Sequence, residues 1–251
     1  LYSSAASDVY KRQLLFCGVP DEEAGSRLGM EWLCEHRPDV VDVEFELSEG
    51  GMGTSRFAGK ETKLFNIATS EKMGAGLRLT AVGTPGHGSR PHADNSAIHL
   101  MRALLKLHDW EREIIYTPAT TTYLERLAEA GLLPPLSERE AVETQIRRSP
   151  ALLAAFINTL NVTIVRSGMK NNVIPAKSEA VIDCRILPGQ DREAWRQAVI
   201  DRIDDPRISV EFARDWRQPA NVQANWDTEL FRTINAVLKE AMEDAVVVPA
   251  M

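Results

Sequence analysis

The sequence predicts an α/β protein in which an open parallel-sheet domain is interrupted by an inserted α+β domain. Three observations carry this prediction. A strand–helix–strand stretch lies near the start, with acids just past each strand: Glu22-Glu23 in Val19-Pro20-Asp21-Glu22-Glu23-Ala24-Gly25, and Glu49 in Ser48-Glu49-Gly50-Gly51. Alternating strands and amphipathic helices then fill residues 75–215. A last amphipathic helix and an apolar run at 245–248 read as a return to the first domain. The expected parts are thus 14–74, an insertion over 75–215, and a return over 216–251.

The 251 residues suffice for one large or two ordinary domains. At 44% hydrophobic and 26% charged, the chain has the composition of a soluble globular protein. A net charge of -7 argues against nucleic acid as the main partner. No apolar run approaches a membrane span, so no membrane partner is expected. Cys17, Cys34 and Cys184 are widely spaced and read as small buried hydrophobes of a reducing, cytoplasmic compartment. Residues 1–13 (LYSSAASDVYKRQ) fit no element and resemble a translated sequencing adaptor, so they are set aside. The apolar run at the other end stops without a cap or polar tail. Both natural ends are expected to be missing, and any signal peptide with them.

Leu14 to Val19 reads as a short buried strand. Arg27 to Glu35 carries Leu28, Met30, Trp32 and Leu33 at helical spacing, with Pro38 beyond. Val43, Phe45 and Leu47 alternate with acids as a half-exposed strand. Leu77, Leu79 and Ala81 alternate as another. The loop from Gly83 to Pro91 holds three glycines and two prolines, which specify an irregular shape. A helix from about Asp94 places Ala97, Met101, Leu104, Leu105 and His108 on one stripe. Capping boxes at Thr122/Glu125 and Ser137/Glu140, and Ser149-Pro150, announce three more helices. Asn161–Val165 and Glu179–Leu187 are strands, the second with Ala180, Ile182, Cys184 and Ile186 on one face. Asp191 opens a helix with Trp195, Val199 and Ile203, and Ile208, Val210 and Phe212 form a further strand. A linker from about Pro219 leads to a helix from Asp227.

A right-handed crossover would set Glu22, Glu23 and Glu49 at one sheet edge, where open α/β sheets bind ligands. Three carboxylates in one crevice stay ionised cheaply only around a cation, so a hydrolytic metal site is the first hypothesis. The bland alternatives are a solvated helix start for Glu22-Glu23 and an ordinary turn for Glu49. Gly50-Gly51-Met52-Gly53 lacks the Lys-Ser/Thr of a phosphate loop, and Ser89 lacks the elbow of a nucleophile.

The acidic motif, Ser48-Glu49-Gly50-Gly51, Gly86-His87-Gly88-Ser89 with Pro91, and Asn172-Val173-Ile174-Pro175-Ala176 with Arg185 thirteen residues on occur in this order. Together they resemble the di-zinc metallopeptidase family of aminoacylases, glutamate carboxypeptidases and succinyl-diaminopimelate desuccinylase. The resemblance covers about residues 14–251. It implies a partial parallel-sheet catalytic domain and an inserted lid that dimerises. It implies that Glu22 is the general base and that Glu23 and Glu49 are terminal ligands, one on each zinc. It implies that His87 reaches across a homodimer to stabilise the oxyanion, and that Asn172 and Arg185 hold a substrate with a free carboxylate. The implied cofactor is a pair of zinc ions, with cobalt or manganese as alternatives. For Arg185 the residues also allow a plain salt bridge to Asp183 or Glu179, and Asn172 suits an Asx-turn. His36, His92, His99 and His108 read as surface or half-buried and carry no role.

The family's His-x-Asp motif, bridging aspartate and late histidine are absent from these residues. The expected reading is a fragment of an amidohydrolase, inactive by itself because two carboxylates bind zinc poorly. The rivals are a non-catalytic dimerisation module with vestigial acids and, less fittingly, a serine hydrolase.

Overall fold

The computed structural model describes residues 2–4, 14–213 and 224–251. The expected linker near Pro219 lies mostly outside the described residues, as does most of 1–13. The chain divides into two compact units, Leu1–Glu49 and Gly50–Met251.

In the first unit, β1 (Tyr2–Ser4) pairs antiparallel with β2 (Leu14–Phe16). A ribbon thus forms where residues 2–4 were expected to form nothing. The helices α1 (Met30–His36) and α2 (Pro38–Val41) follow, and neither contains a buried residue. The expected strand at 43–47 is not formed, and β2 is exposed rather than buried. A strand needs a ladder partner as well as an alternating pattern. Val43 and Leu47 find none among the described residues and stay exposed. The parallel βαβ unit is therefore absent.

Among its described residues the second unit holds two main sheets, each with its own helices, and a separate two-stranded ladder. The first is antiparallel in the order β11 (Ile208–Phe212), β6 (Leu77–Val82), β10 (Lys177–Ile186), β8 (Thr159–Ser167), with short β5 (Met73–Gly74) also beside β10. Leu77, Leu79 and Ala81 alternate inward, as do Ala180, Ile182, Cys184 and Ile186. They meet α3 (Ser96–His108) and α7 (Arg192–Ile203), the latter through Trp195, Val199 and Ile203. Strand patterning here is as the sequence reads. The α3 stripe is not: its buried positions are Ser96, His99, Leu100, Ala103 and Leu107, while Met101 and Leu105 are exposed. Both stripes have helical period, and only the neighbouring sheet decides which is buried.

The second sheet has the order β12 (Ala245–Ala250), β4 (Lys60–Ala68), β3 (Met52–Phe57). The β3–β4 hairpin turns at Ala58-Gly59, both at positive φ (48° and 82°), the twist a two-residue hairpin requires. The return strand β12 runs parallel to β4, with Val246 opposite Leu64 and Val248 opposite Asn66. Helices cover both faces, which is why Val246-Val247-Val248 is continuously apolar. On one face Leu64 and Val248 join Leu124, Ile146 and Phe156 from α4 (Pro118–Glu129), α5 (Arg139–Arg148) and the turn after α6 (Pro150–Ala154). On the other, Val247 meets Phe231 of α8 (Glu229–Ala241). The helices at 118–154 thus pack on the β4–β12 sheet.

The caps refine the expected starts. Thr117, with Thr120, forms the capping box of α4, so that helix begins before Thr122. No side chain caps α5, whereas Ser149 caps α6 as read. Cys184 is buried, and Cys17 and Cys34 are exposed, contrary to their reading as core residues. No helix of the described residues is long and apolar enough to cross a membrane.

Candidate active site

Two turns distant in sequence meet at one end of the antiparallel sheet. Short β7 (Gly86–His87) pairs with β9 (Val173–Ile174), setting Gly86 opposite Ile174 and His87 opposite Val173. Gly88 N–H then donates to the carbonyl of Asn172 at 2.8 Å. A Cβ at Gly88 would stand 3.4 Å from three backbone atoms of Asn172, an ordinary van der Waals contact, so the two backbones lie close without requiring glycine. His87 and Asn172, separately singled out, are thereby brought together, and both are exposed.

Local contacts fix the chemistry of His87. The Ser89 N–H donates to His87 Nδ1 at 3.3 Å, and Ser89 Oγ lies 2.8 Å from the same nitrogen. A nitrogen that accepts an N–H is unprotonated, so the neutral ring carries its proton on Nε2. That nitrogen is the one left to donate to a developing negative oxygen.

Arg185 lies elsewhere. It sits eight positions along β10 from Lys177, or roughly 26 Å at the usual strand rise. Lys177 pairs with Val82 at the His87 end, whereas Arg185 pairs with Gly74 and Thr159 at the other. Its Nε donates to Asp183 Oδ1 at 3.1 Å, the plain salt bridge its sequence allowed. Lys72 stands near it and donates to the carbonyls of Ala154 and Ile157. Burial, then the charges of Arg185 and Arg112, lower Lys72 to about 8. Arg185 therefore belongs to a cationic corner that sequence reading missed, because Lys72 and Arg112 carry no motif.

The acids do not converge. Asp21 adopts φ 70°, and its carboxylate accepts the N–H of Leu28 at 3.1 Å. Gly25 N–H donates to the carbonyl of Glu22, so Glu22 and Glu23 sit in a tight turn. Glu22, Glu23 and Glu49 are all exposed. Among the described residues no three His, Cys, Asp or Glu side chains form a group able to hold a metal ion. The expected shared crevice is corrected accordingly: without a strand at 43–47, nothing carries Glu49 to the edge where Glu22 and Glu23 would lie. A zinc centre needs three or four good ligands. The donor set among the described residues does not fit one.

One buried polar group was also missed. The sequence reads His99 as surface or half-buried, whereas it is fully buried. Its Nε2 lies 3.0 Å from Asp94 Oδ1 and 3.3 Å from Arg207 Nη1. Its spacing with Ser96, Ala103 and Leu107 is the signal that could have found it.

Comparison with known proteins decides the family. Residues 69–210 match the M20 peptidase dimerisation domain, more than half of the chain. The chain belongs to this family. Human aminoacylase-1 is 27% identical over 212 residues, 84% of this chain and 44% of its own length. Human N-fatty-acyl-amino acid synthase/hydrolase PM20D1 is 29% identical over 177 residues, 67% of this chain and 35% of its own length. The chain thus spans under half the length of these relatives. Human carnosine dipeptidase 1 shares the fold, with a TM-score of 0.50 over 91% of this chain and 52% of that one at 12% identity. The matched M20 segment contains the whole His87–Asn172 junction and Arg185, and the two relatives are by name an aminoacylase and an N-fatty-acyl-amino acid synthase/hydrolase.

Proposed function

We propose that this chain is the dimerisation domain, with flanking parts of the catalytic domain, of a homodimeric metal-dependent amidohydrolase. The whole protein would cleave an N-acyl or peptide bond beside a free carboxylate. The division into 14–74, 75–215 and 216–251 is part of this reading. It is supported by the parallel pairing of β12 with β4, although the helices of 118–154 pack with that same sheet.

The observation that carries the reading is the separation of groups along β10. His87 and Asn172 stand together at one end, and Arg185 stands at the other. One small substrate cannot touch both ends of one chain. A two-fold dimer resolves this, because the His87 end of one protomer can serve the site that holds its partner's Arg185 end. His87 Nε2–H then stabilises the oxyanion, Asn172 orients the substrate, and Arg185 takes the carboxylate bidentately.

The dimer surface has a physical candidate. Edge strand β8 leaves Val162, Ile164 and Val165 exposed, and α3 beside it exposes Ile98, Met101 and Leu105. Val165 pairs with Ala180, so it stands on the same helix-covered side of the sheet as α3. An open apolar edge is the kind of surface a second copy closes.

Glu22 as base, and Glu23 and Glu49 as ligands of a zinc pair, rest on motif order alone. The rival reading, a dimerisation module with vestigial acids, keeps the same surface and loses the chemistry.

The test uses the complete reading frame, assayed on N-acyl amino acids and dipeptides with and without added zinc. His87→Ala and Arg185→Ala should each abolish activity. Mixing the two inactive variants should restore it, since each heterodimer then holds one intact site. No recovery on mixing, with dimers exchanged, refutes the shared site. Full activity of both variants refutes the assignment of these residues.

A further inference from the structure

The loop carrying His87 is closed at its base by a single carboxylate. Thr84 N–H donates to Asp94 Oδ2 at 2.9 Å and to the Asp94 carbonyl at 3.0 Å, and Thr84 Oγ1 donates to the same Oδ2 at 2.6 Å. The free oxygen of that carboxylate, Oδ1, meets His99 Nε2 at 3.0 Å. His99 is wholly buried in the first turn of α3, and Arg207 Nη1 stands 3.3 Å from the same nitrogen. Asp205 holds Arg207 in turn, through bonds of 2.8 and 2.7 Å.

Two contacts compete for His99 Nε2: Arg207 Nη1–H can only donate to it, and the Asp94 carboxylate can only accept from it. His99 Nδ1 is buried and finds no partner among the described residues. A proton there would be a buried donor without an acceptor, which is costly. The proton therefore sits on Nε2 and is given to Asp94, while Arg207 contributes its charge beside the carboxylate. The groups facing His99 are Asp94, Arg207 and, behind it, Asp205. Hydrogen bonds from Thr84, then from His99, hold the Asp94 carboxyl below its ordinary range.

We propose that His99 is a positioning residue: through Asp94 it locks the two ends of the 84–94 loop together and so fixes His87 against the Asn172 turn. The proposal rests on the reading above that His87 serves the reaction. Loops whose ends are clamped this way behave as compact units, so loss of the clamp should loosen the whole loop and not the sheet.

The experiment compares this chain with His99→Leu, which keeps the bulk and removes the donor, and His99→Gln, whose amide can replace Nε2–H. Amide hydrogen exchange is read at Thr84 and Gly88 in the loop and at Ala180 in the sheet. His99→Leu should speed exchange at Thr84 and Gly88 by roughly tenfold, about the factor of one lost hydrogen bond to a charged group, with Ala180 unchanged. His99→Gln should restore most of the protection. Unchanged Thr84 and Gly88, equal acceleration at Ala180, or no rescue by Gln each overturn the positioning role.

In the complete enzyme, His99→Leu should lower kcat more than it raises KM, and should have no further effect once His87 is Ala. If His87→Ala leaves kcat intact, the reading of His87 fails, whereas the exchange data still judge the clamp.

Discussion

The carbonyl of Asn172 accepts the N–H of Gly88 at 2.8 Å, and this bond joins the histidine loop to a turn that enters the sheet from the opposite direction. It is the point at which two separate sequence motifs become one place. What holds it is close backbone approach on both sides, at Gly88 against Asn172 and at Gly83 against the start of α3.

Of the two, only Gly83 requires glycine. A Cβ there would lie 2.6 Å from Ser96 N and 2.9 Å from the Asp94 carbonyl, both backbone atoms that cannot swing aside. Gly83→Ala should destabilise the protein by roughly 1–3 kcal/mol, the usual cost of overpacking. Urea unfolding of the variant checks this, and a midpoint equal to wild type would contradict it.

Acid should release the loop. The folded Asp94 lies below its ordinary value of 3.8, so its contribution is complete above that pH. It is lost as the pH falls through the lower folded value. The Thr84 amide chemical shift should therefore titrate with a midpoint below 3.8, and Asp94→Asn should remove that transition. A Thr84 midpoint at or above the ordinary value would show that the bonds to Asp94 do not form in solution.

Leu64 tests whether the helices of 118–154 depend on the second sheet. It is 1% exposed on β4 and lies in one core with Leu124, Ile146 and Val248. Leu64→Ala should cost about 2–5 kcal/mol. Leu64→Ala and Leu124→Ala together should differ from the sum of the singles, because the two residues share one core. Strict additivity in denaturant melts would argue against a common core.

The apolar edge makes a prediction about assembly. Val165→Glu on β8 and Met101→Glu on α3 place charges on exposed positions, so neither should unfold the monomer. Each should shift a dimer toward monomer in analytical ultracentrifugation, since a charge buried without a partner is costly. Dimers that persist in both variants would place the interface elsewhere.

Arg126 ties α4 to the return strand. Its Nη1 donates to the carbonyl of Val247 at 2.7 Å, and its guanidinium lies over the rings of Trp226 and Phe231 at 5.4 and 5.3 Å. Arg126→Leu should cost about 1–3 kcal/mol by leaving that carbonyl unpaired. Arg126→Lys should recover only part, because an ammonium lacks the planar face that covers both rings.

Where a pattern had one reading, the residues were sufficient. Ala180, Ile182, Cys184 and Ile186 alternate over a full strand and are buried as a set. Asp191 caps α7 and Ser149 caps α6 through their own side chains, and both signals are local. The β3–β4 hairpin was not legible, because Ala58-Gly59 is a poor advertisement for a turn that needs positive φ twice. The α3 stripe was misread because His99 looks polar, yet it is buried by virtue of Asp94 and Arg207, which come from a loop and a distant strand end.

The sequence alone determined the motifs, their order and the choice of candidate groups, since these depend on residue type and short spacing. Tertiary structure decided which of them meet. It joined His87 to Asn172 by a two-residue ladder, and it set Arg185 at the far end of the same sheet. It also left Glu22, Glu23 and Glu49 exposed and ungathered among the described residues. The reason is that a strand exists only where another strand pairs with it, and pairing is a property of the whole fold that no run of alternating residues contains.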